Sequence, residues 1–488
     1  MAKCIMVQGT MSGAGKSLLV AALCRIFRQD GYRVAPFKSQ NMALNSFVTP
    51  DGLEMGRAQA MQAEAAGLDC DVRMNPILLK PSSDTGSQLI VNGEVRGHYR
   101  AADYFTMKKS LIPDILAAYH SLAAENDILV LEGAGSPAEI NLREDDIVNM
   151  GLAELVDAPV LLVGDIDPGG VFAQLYGTLA LLRPGERERV FGTVINKFRG
   201  DVTLLQPGLR QLEALTGVPV LGVVPYLRLD LDEEDSLAPG LKRQERQRLL
   251  DVAVLRLPHI ANFTDFPPLE AHPQIGKRYV NRTSELGHPD LLILPGTKST
   301  IDDLLWLRER GFEAAIRALA AAGTMVLGVC GGYQMLGERL SDPEGVERKG
   351  DWAGLGLLPC HTVFTSRKTR RRSMAHVTAA PFAGAEIEGY EIHMGQTERH
   401  GGEAFCRLST GEEDGTAQGT VFGTYLHGLF DTGELTLRLA EVLARRRGIT
   451  PEPWTPQRRG LYRQRQYDAL ADAVRNSLDM DAIVQALK

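Results

Sequence analysis

The 488-residue chain has 53 basic and 61 acidic side chains and a formal charge of −8, whereas a general nucleic-acid binder needs a basic face. Apolar residues make up 44% of the chain, an ordinary globular composition that excludes overall disorder and suits about two to four domains. The six cysteines lack CxxC spacing, so neither a disulfide framework nor a zinc cluster is expected. No apolar run reaches the ~18–20 residues of a membrane helix. We therefore expect a cytoplasmic protein without nucleic-acid or membrane partners.

The first 230 residues alternate strand-like and helix-like segments. The helix predicted at residues 16–29 has an apolar face that includes Leu19 and Leu23. Strands are predicted at residues 4–8, 34–37, 128–132, 159–165 and 192–196. Because strands that alternate with helices form a parallel sheet covered on both faces, we predict an α/β domain over residues 1–230.

The region after residue 230 breaks this pattern. An acidic block is followed by Pro-Gly and a basic block, which predicts a linker over residues 231–250. A second alternating pattern predicts another parallel-sheet α/β domain over residues 251–447, with strands at 251–257, 291–294, 324–329 and 419–425. From residue 448 the composition becomes polar and Arg-rich. An amphipathic helix at 468–487 predicts a helical tail, residues 448–488, that packs back on the body.

A glycine-rich loop over residues 9–17 follows the first strand and opens the first helix. A phosphate-binding loop requires this context, because backbone N–H groups and the helix N-terminus bind phosphate. We predict that Gly13 and Gly15 belong to an ATP site. Lys16 is the candidate for the β- and γ-phosphates, and the Ser17 hydroxyl is the candidate for Mg²⁺. The loop is one residue longer than the standard motif, and in this it resembles the dethiobiotin synthetase-like branch of phosphate-loop proteins. The alternative is a glycine-rich turn that binds no ligand.

Three predicted strand ends supply further candidates for the nucleotide site. Glu132 and Asp165 each end a strand, and either carboxylate is a candidate ligand of Mg²⁺. Asn196 ends another strand, where its side-chain amide is a candidate for hydrogen bonding to the edge of the adenine base. The alternatives are solvated strand-end acids and a simple turn.

The segment PFKSQNMALNS, residues 36–46, is rich in amides and hydroxyls. Such a composition suits hydrogen bonding to a polar ligand, with Lys38 as a charge clamp. A surface loop is the alternative, but the neighbouring phosphate loop favours a binding role. The further candidates for substrate binding are Gln40, Asn41, Asn45 and Ser46.

A second site is predicted around Cys330. An apolar strand runs into Gly-Val-Cys-Gly-Gly over residues 328–332 and then into a helix, which is the nucleophile-elbow layout with sulfur in place of oxygen. The flanking glycines permit a sharp turn, and the helix N-terminus favours the thiolate. A buried structural cysteine is the alternative.

A thiolate nucleophile needs a base, and two histidines are candidates. His427 ends a predicted strand and His393 is its rival, because spacing alone does not choose between them. An oxyanion hole needs backbone donors, and the N–H groups of Gly296 and Gly331 are the candidates. Gly296 follows a predicted strand as part of Pro-Gly-Thr, where an ordinary turn glycine is the alternative.

The order of phosphate-loop domain, linker and Gly-x-Cys-x-Gly domain resembles the cobyrinate amidotransferase family. Residues 36–42, 56–60 and 75–81 look like the branch that converts adenosylcobyrinic acid a,c-diamide to adenosylcobyric acid in cobalamin biosynthesis. The resemblance implies a dethiobiotin synthetase-like domain followed by a class I glutamine amidotransferase-like domain. It also implies ATP- and glutamine-dependent amidation of the b, d, e and g carboxylates, with a corrinoid polycarboxylate, glutamine and ATP as small-molecule substrates. Cys330 is then the glutaminase nucleophile and His427 its partner.

One position departs from the class I pattern. Leu429 stands where many class I amidotransferases carry a glutamate, two residues after the histidine, so the group that orients His427 is not predicted. Two rival functions also stay open. Cobyrinic acid a,c-diamide synthase performs the same chemistry on other carboxylates, and a ParA-like ATPase scaffold would not need the Cys330 elbow.

Overall fold

The computed structural model describes residues 2–83, 86–231, 248–456 and 459–487. The chain divides into two compact units. The first unit comprises Met1–Ala43, Leu53–Asp232 and Arg463–Lys488, and the second comprises Leu44–Gly52 and Glu233–Tyr462. Most of the linker predicted over residues 231–250 lies outside the described residues. The two units differ from the predicted domain boundaries in two segments. Residues 44–52 belong to the second unit, and residues 463–488, at the end of the chain, belong to the first.

The described elements up to residue 225 include the predicted strands and the predicted first helix, together with further strands that the sequence did not predict. The strands are β1 (Lys3–Gly9), β2 (Val34–Phe37), β3 (Gln40–Met42), β4 (Ser46–Val48), β5 (Glu54–Gly56), β6 (Ile77–Ser83), β7 (Gly86–Val91), β8 (Glu94–Arg100), β9 (Ile128–Glu132), β10 (Val160–Asp165), β11 (Val190–Phe198) and β12 (Val220–Pro225). The α-helices are α1 (Lys16–Gln29), α2 (Arg57–Ala66), α3 (Ala101–Met107), α4 (Ile112–Glu125), α5 (Met150–Leu155), α6 (Val171–Leu181), α7 (Pro184–Glu188) and α8 (Gln206–Thr216).

The main sheet of the first unit is parallel and has the strand order β12-β11-β10-β1-β9-β2. The middle strands β1, β9 and β10 are buried almost throughout, as expected when helices cover both faces of a parallel sheet. This arrangement brings the carboxyl ends of β1, β9 and β10 to one edge, where the predicted nucleotide-site residues lie. A smaller sheet, β3-β6-β7-β8, belongs to the same unit.

The described elements from residue 250 onward form the second unit and then return to the first. The strands are β13 (Leu250–Leu255), β14 (Ile275–Val280), β15 (Leu291–Leu294), β16 (Met325–Val329), β17 (Arg339–Asp342), β18 (Gly350–Ala353), β19 (Cys360–Val377), β20 (Glu386–Arg399), β21 (Cys406–Leu408), β22 (Glu413–Asp414), β23 (Thr416–Gln418) and β24 (Val421–Thr424). The α-helices are α9 (Thr300–Glu309), α10 (Phe312–Ala321), α11 (Gly331–Leu336), α12 (Glu434–Arg446), α13 (Arg459–Arg475) and α14 (Met480–Ala486).

The second unit has a central sheet with the order β14-β13-β15-β16-β24-β23, which is parallel except for the β23–β24 pair. The carboxyl ends of β15, β16 and β24 therefore meet at one edge. A second sheet, built on the long β19–β20 antiparallel pair, was not predicted. The predicted fold class, α/β with two parallel-sheet domains, is confirmed.

The end of the chain packs on the first unit. The predicted helix over 468–487 is two helices, α13 and α14. Tyr467 and Val474 of α13 are buried in the same apolar cluster as Leu23 of α1. The Arg25 guanidinium of α1 also donates to the Asp468 carboxylate at 2.8 Å.

Candidate active site

Cys330 forms the junction between β16 and α11 in the second unit. Its φ of 52° and ψ of −109° are strained for a residue with a side chain, which is typical of a nucleophile elbow. The neighbouring glycines leave no room for larger residues, because a Cβ on Gly332 would lie 2.0 Å from the Leu294 carbonyl oxygen. The tight turn thus presents Cys330 at the carboxyl end of its strand.

The His427 imidazole lies between the Cys330 thiol and the Asp265 carboxylate. Nδ1 of His427 is 2.6 Å from Asp265 Oδ2, and both side chains are buried. Burial disfavours the imidazolium, but the charge and hydrogen bond of Asp265 and the contact with Cys330 outweigh it and raise the pKa of His427 to about 10. The three side chains form a Cys–His–Asp arrangement with the geometry of a catalytic triad.

Asp265 is the orienting group that sequence reasoning did not identify. It ends a short 3₁₀ turn, Phe263–Asp265, in the loop between β13 and β14. Its second oxygen accepts a hydrogen bond from the Gly428 N–H at 2.9 Å, which fixes the carboxylate against the histidine strand end. The available signal was an acid in the loop that follows a strand of the same parallel sheet, since such loops meet at the carboxyl edge.

His393, the rival base, has other partners. Its ring stacks on Tyr425 with centroids 3.6 Å apart. Nδ1 lies 2.7 Å from the Gly395 carbonyl oxygen, and Nε2 lies 3.3 Å from Glu391. These contacts engage both ring nitrogens of His393.

The two predicted oxyanion-hole glycines lie beside the Cys–His pair. Gly331 is the first residue of α11, directly after Cys330. A Cβ on Gly296 would come within 2.8 Å of His427 Cε1, and a Cβ on Gly331 within 3.2 Å of the Thr297 nitrogen. The structure therefore brings both glycines to the thiol site.

The phosphate loop of the first unit is held by polar contacts within the loop and with residues that follow β9 or lie on β11. Gly13 and Gly15 have φ values of 76° and 94°, which favour glycine. Lys16 Nζ, at the start of α1, donates to the carbonyl oxygens of Met11 at 3.0 Å and Gly135 at 3.1 Å. The Asn196 amide donates to the Ala14 carbonyl oxygen at 2.9 Å, so in this structure it braces the loop.

The carboxylate of Glu132 contacts the Ser17 hydroxyl, whereas Asp165 lies in a different ion pair. Ser17 Oγ donates to Glu132 Oε1 at 2.8 Å, and Lys38 Nζ donates to the same oxygen at 2.9 Å. Asp165 accepts from Lys197 at 2.8 Å. Neighbouring oxygen ligands of Mg²⁺ lie about 3 Å apart, because Mg–O bonds of 2.0–2.1 Å meet at right angles. The Ser17 and Glu132 oxygens therefore fit a Mg²⁺ site.

The predicted substrate-binding residues fall into two groups. In the first unit, the Gln40 side chain accepts from the Tyr104 hydroxyl, and Asn41 Nδ2 donates to Gln59 Oε1 at 3.0 Å. Asn45 and Ser46 belong to the second unit. Both of these residues hydrogen-bond to Asn262.

Comparison with known proteins identifies both halves of the chain. Residues 5–237 match the CobQ/CobB/MinD/ParA nucleotide binding domain, and residues 251–435 match the CobB/CobQ-like glutamine amidotransferase domain. None of the helices in the described part of the chain is both long and apolar enough to span a membrane.

Similar proteins cover the whole chain. A protein named cobyric acid synthase from Ruminiclostridium cellulolyticum is 54% identical over 100% of this chain and 98% of its own. Proteins of the same name from Lachnoclostridium phytofermentans and Listeria monocytogenes are 53% and 50% identical, each over 100% of this chain and over 99% and 97% of their own. Because this similarity extends over the full length of both chains, the chain belongs to the cobyric acid synthase family of glutamine-dependent amidoligases.

Proposed function

We propose that the chain amidates the b, d, e and g carboxylates of adenosylcobyrinic acid a,c-diamide to give adenosylcobyric acid, using ATP and the amide nitrogen of glutamine. The observation that carries this proposal is that one chain holds both a Cys330–His427–Asp265 triad and a phosphate loop with its Ser17–Glu132 contact. The relatives that share its full length bear the name cobyric acid synthase, which supports this product.

The first unit activates the carboxylate. Direct attack of ammonia on a carboxylate would have to expel oxide, so the acid is first converted to an acyl phosphate by transfer of the ATP γ-phosphoryl group, with ADP leaving. The Lys16 ammonium and the N–H groups at the start of α1 stabilise the phosphate charge during the transfer. Ammonia then attacks the acyl carbon and phosphate leaves, which gives the amide.

Ser17 and Glu132 are the residues that hold Mg²⁺ in this proposal. The ion, when bound with ATP, supplies positive charge that offsets the phosphate oxygens. Lys38 lies beside the same carboxylate and contributes a second fixed charge there. Asp165 is assigned to the loop instead, because its partner Lys197 also donates to the Gly13 carbonyl oxygen at 2.6 Å.

The second unit makes ammonia from glutamine. The Cys330 thiolate attacks the side-chain amide, and the backbone N–H groups of Gly296 and Gly331 stabilise the oxyanion. The His427 imidazolium gives its proton to the leaving ammonia, and a thioester remains. Water then attacks the thioester with His427 as general base, which releases glutamate and restores the thiol.

Mass spectrometry of the corrinoid product tests this function. Purified protein is incubated with adenosylcobyrinic acid a,c-diamide, ATP, Mg²⁺ and glutamine, and we expect one carboxyl-to-carboxamide conversion at each of the b, d, e and g positions. A second incubation uses cobyrinic acid, whose a and c carboxylates are free, as the substrate. Amidation at a and c would indicate a,c-diamide synthesis and would refute the proposal. Absence of glutamate release would favour the ATPase scaffold.

Replacing Glu132 and Asp165 in turn shows which of these two carboxylates binds Mg²⁺. We expect Glu132→Gln to raise the Mg²⁺ concentration for half-maximal, ammonia-supported amidation by at least about 10–100-fold, because loss of a group that only supports a metal ligand already has that effect and Glu132 is proposed as a ligand itself. Asp165→Asn is the matched control, because it also removes one buried strand-end charge. Its Mg²⁺ requirement should stay near that of the wild type; the reverse order would assign the ion to Asp165.

A further inference from the structure

Residues 44–52, here called the inserted segment, connect the two units covalently at both ends. Ala43 and Leu53 belong to the first unit, whereas the inserted segment packs within the second. The chain enters the inserted segment shortly after Lys38, whose ammonium pairs with Glu132 at 2.9 Å in the predicted nucleotide site. A short stretch of the chain therefore connects Lys38 at the predicted nucleotide site with the inserted segment.

The inserted segment holds Asn262 by two buried hydrogen bonds. The Asn262 N–H donates to Asn45 Oδ1 at 2.7 Å, and the Ser46 N–H donates to Asn262 Oδ1 at 3.2 Å. Asn262 has a left-handed backbone, with φ 52° and ψ 37°. Because a backbone N–H can only donate, the Ser46 bond fixes the amide with its oxygen towards the inserted segment.

The fixed amide turns its nitrogen towards the catalytic histidine. Asn262 Nδ2 lies 3.2 Å from His427 Nε2, and neither group is exposed to solvent. An amide nitrogen can only donate, so this contact suits the neutral imidazole and opposes the imidazolium that Asp265 stabilises. Asp265, on the other side of the ring, holds a proton on Nδ1. The Asn262 amide thus competes with the Cys330 thiol, which contacts the same imidazole.

A second contact joins the inserted segment to the same histidine. The Tyr390 ring stacks on the His427 imidazole with centroids 5.3 Å apart, and the two residues exchange backbone hydrogen bonds at 2.9 and 3.2 Å. The Tyr390 hydroxyl donates to the Ser46 carbonyl oxygen at 3.4 Å, and Phe47 packs edge-on against the Tyr390 ring. The inserted segment therefore contacts two of the residues that contact His427, Asn262 and Tyr390.

We propose that Asn262 is a positioning residue whose amide competes with Cys330 for His427, and that the inserted segment sets the orientation of this amide. The inference rests on the proposed function, because it gives the glutaminase a way to respond to the first unit. When the inserted segment shifts, Asn262 Oδ1 loses its Ser46 donor and can turn towards Nε2. An oxygen there accepts from the imidazolium, so the protonated form that releases ammonia is stabilised.

This switch leaves the other ionisable neighbours of the imidazole in place. The titratable groups that the described structure places against His427 are Asp265, Cys330 and Tyr390. Only the direction of the Asn262 amide differs between the two arrangements. Glutamine is then hydrolysed mainly when the first unit holds its substrates, and ammonia is not released without an acceptor.

Glutamate release by the full chain tests the proposal. Rates are measured with and without ATP plus the corrinoid a,c-diamide, for the wild type, Asn262→Ala and Asn262→Asp. The alanine variant frees Nε2, so we expect its rate without substrates to rise about three- to tenfold, the factor for one hydrogen bond, in kcat rather than KM. The ratio of its rate with ATP and the corrinoid to its rate without them should approach one. The aspartate variant presents only oxygen atoms to Nε2, as the turned amide does, so its rate without substrates should also rise and its ratio should fall towards one.

Two further variants and one measurement on the wild type distinguish the possible outcomes. Asn281→Ala removes an exposed asparagine of the second unit and should keep the wild-type ratio. If Asn262→Ala does not fold, Asn45→Ala removes the acceptor of the Asn262 backbone N–H, loosens the contact of Asn262 with the inserted segment and should also lower the ratio. An unchanged ratio, or an equal fall of both rates, would overturn the proposal. Failure of the proposed function has a different signature, because the wild type would then form no amide from ammonia and ATP.

Discussion

Replacing Cys330 with alanine should abolish glutamine-dependent amidation and leave ammonia-dependent amidation intact. The thiol is the group that attacks the glutamine amide, so its loss should lower glutamate release by on the order of 10⁴-fold or more. Acyl phosphate formation uses Lys16, Ser17 and Glu132, which belong to the first unit, whereas Cys330, His427 and Asp265 belong to the second. Free ammonia supplied at alkaline pH should therefore restore amide formation.

The measurement follows glutamate and the amidated corrinoid in the same reactions, with either glutamine or ammonium chloride as the nitrogen source. Cys70→Ala is the control for a generic loss of a thiol, because Cys70 is half-buried in the first unit. It should leave both activities at the wild-type level. Loss of both activities in Cys330→Ala would mean that Cys330 is needed for folding or for acyl phosphate formation, and that the separation of the two chemistries is wrong.

The sequence predicted the sheet strands and the first helix closely because each of them is marked by local patterns. The helix over residues 16–29 and the strands over 128–132 and 291–294 have the predicted bounds. Buried parallel strands are short apolar runs, and the phosphate loop defines both the end of β1 and the start of α1. The β19–β20 pair escaped prediction because its strands are only partly buried and rich in arginine and polar residues, so they lack the apolar run.

The two candidate sites differed in how much of their geometry is local. Cys330 and the loop before α1 are set by adjacent residues, and both could be placed from sequence. Asp265 could not, because 162 residues separate it from His427 and only the strand order of the sheet brings them together. The same holds for Asn45. The sequence predicts it as a substrate-binding residue of the first domain, whereas in the structure it hydrogen-bonds to Asn262 of the second unit.

Replacing Asp265 with asparagine should lower glutamine hydrolysis by on the order of 10³–10⁴-fold, although the side chain keeps its shape. The Gly428 N–H donates to one Asp265 oxygen at 2.9 Å, so an asparagine there would keep its oxygen towards Gly428. Its NH₂ group would then face His427 Nδ1, which would have to accept rather than donate. The proton of the neutral ring would move to Nε2, and His427 could no longer take the Cys330 proton.

The pH profile of glutamine hydrolysis distinguishes this cause from misfolding. Burial lowers the pKa of His427, and Asp265 is the main group that raises it to about 10. Without the carboxylate, burial remains and the pKa falls, so the alkaline limb of kcat/KM should move from near pH 10 to lower pH. Asp251→Asn, at the opposite end of β13, is the matched control and should keep the wild-type profile. An unshifted alkaline limb in Asp265→Asn would show that this carboxylate does not orient and charge the catalytic histidine.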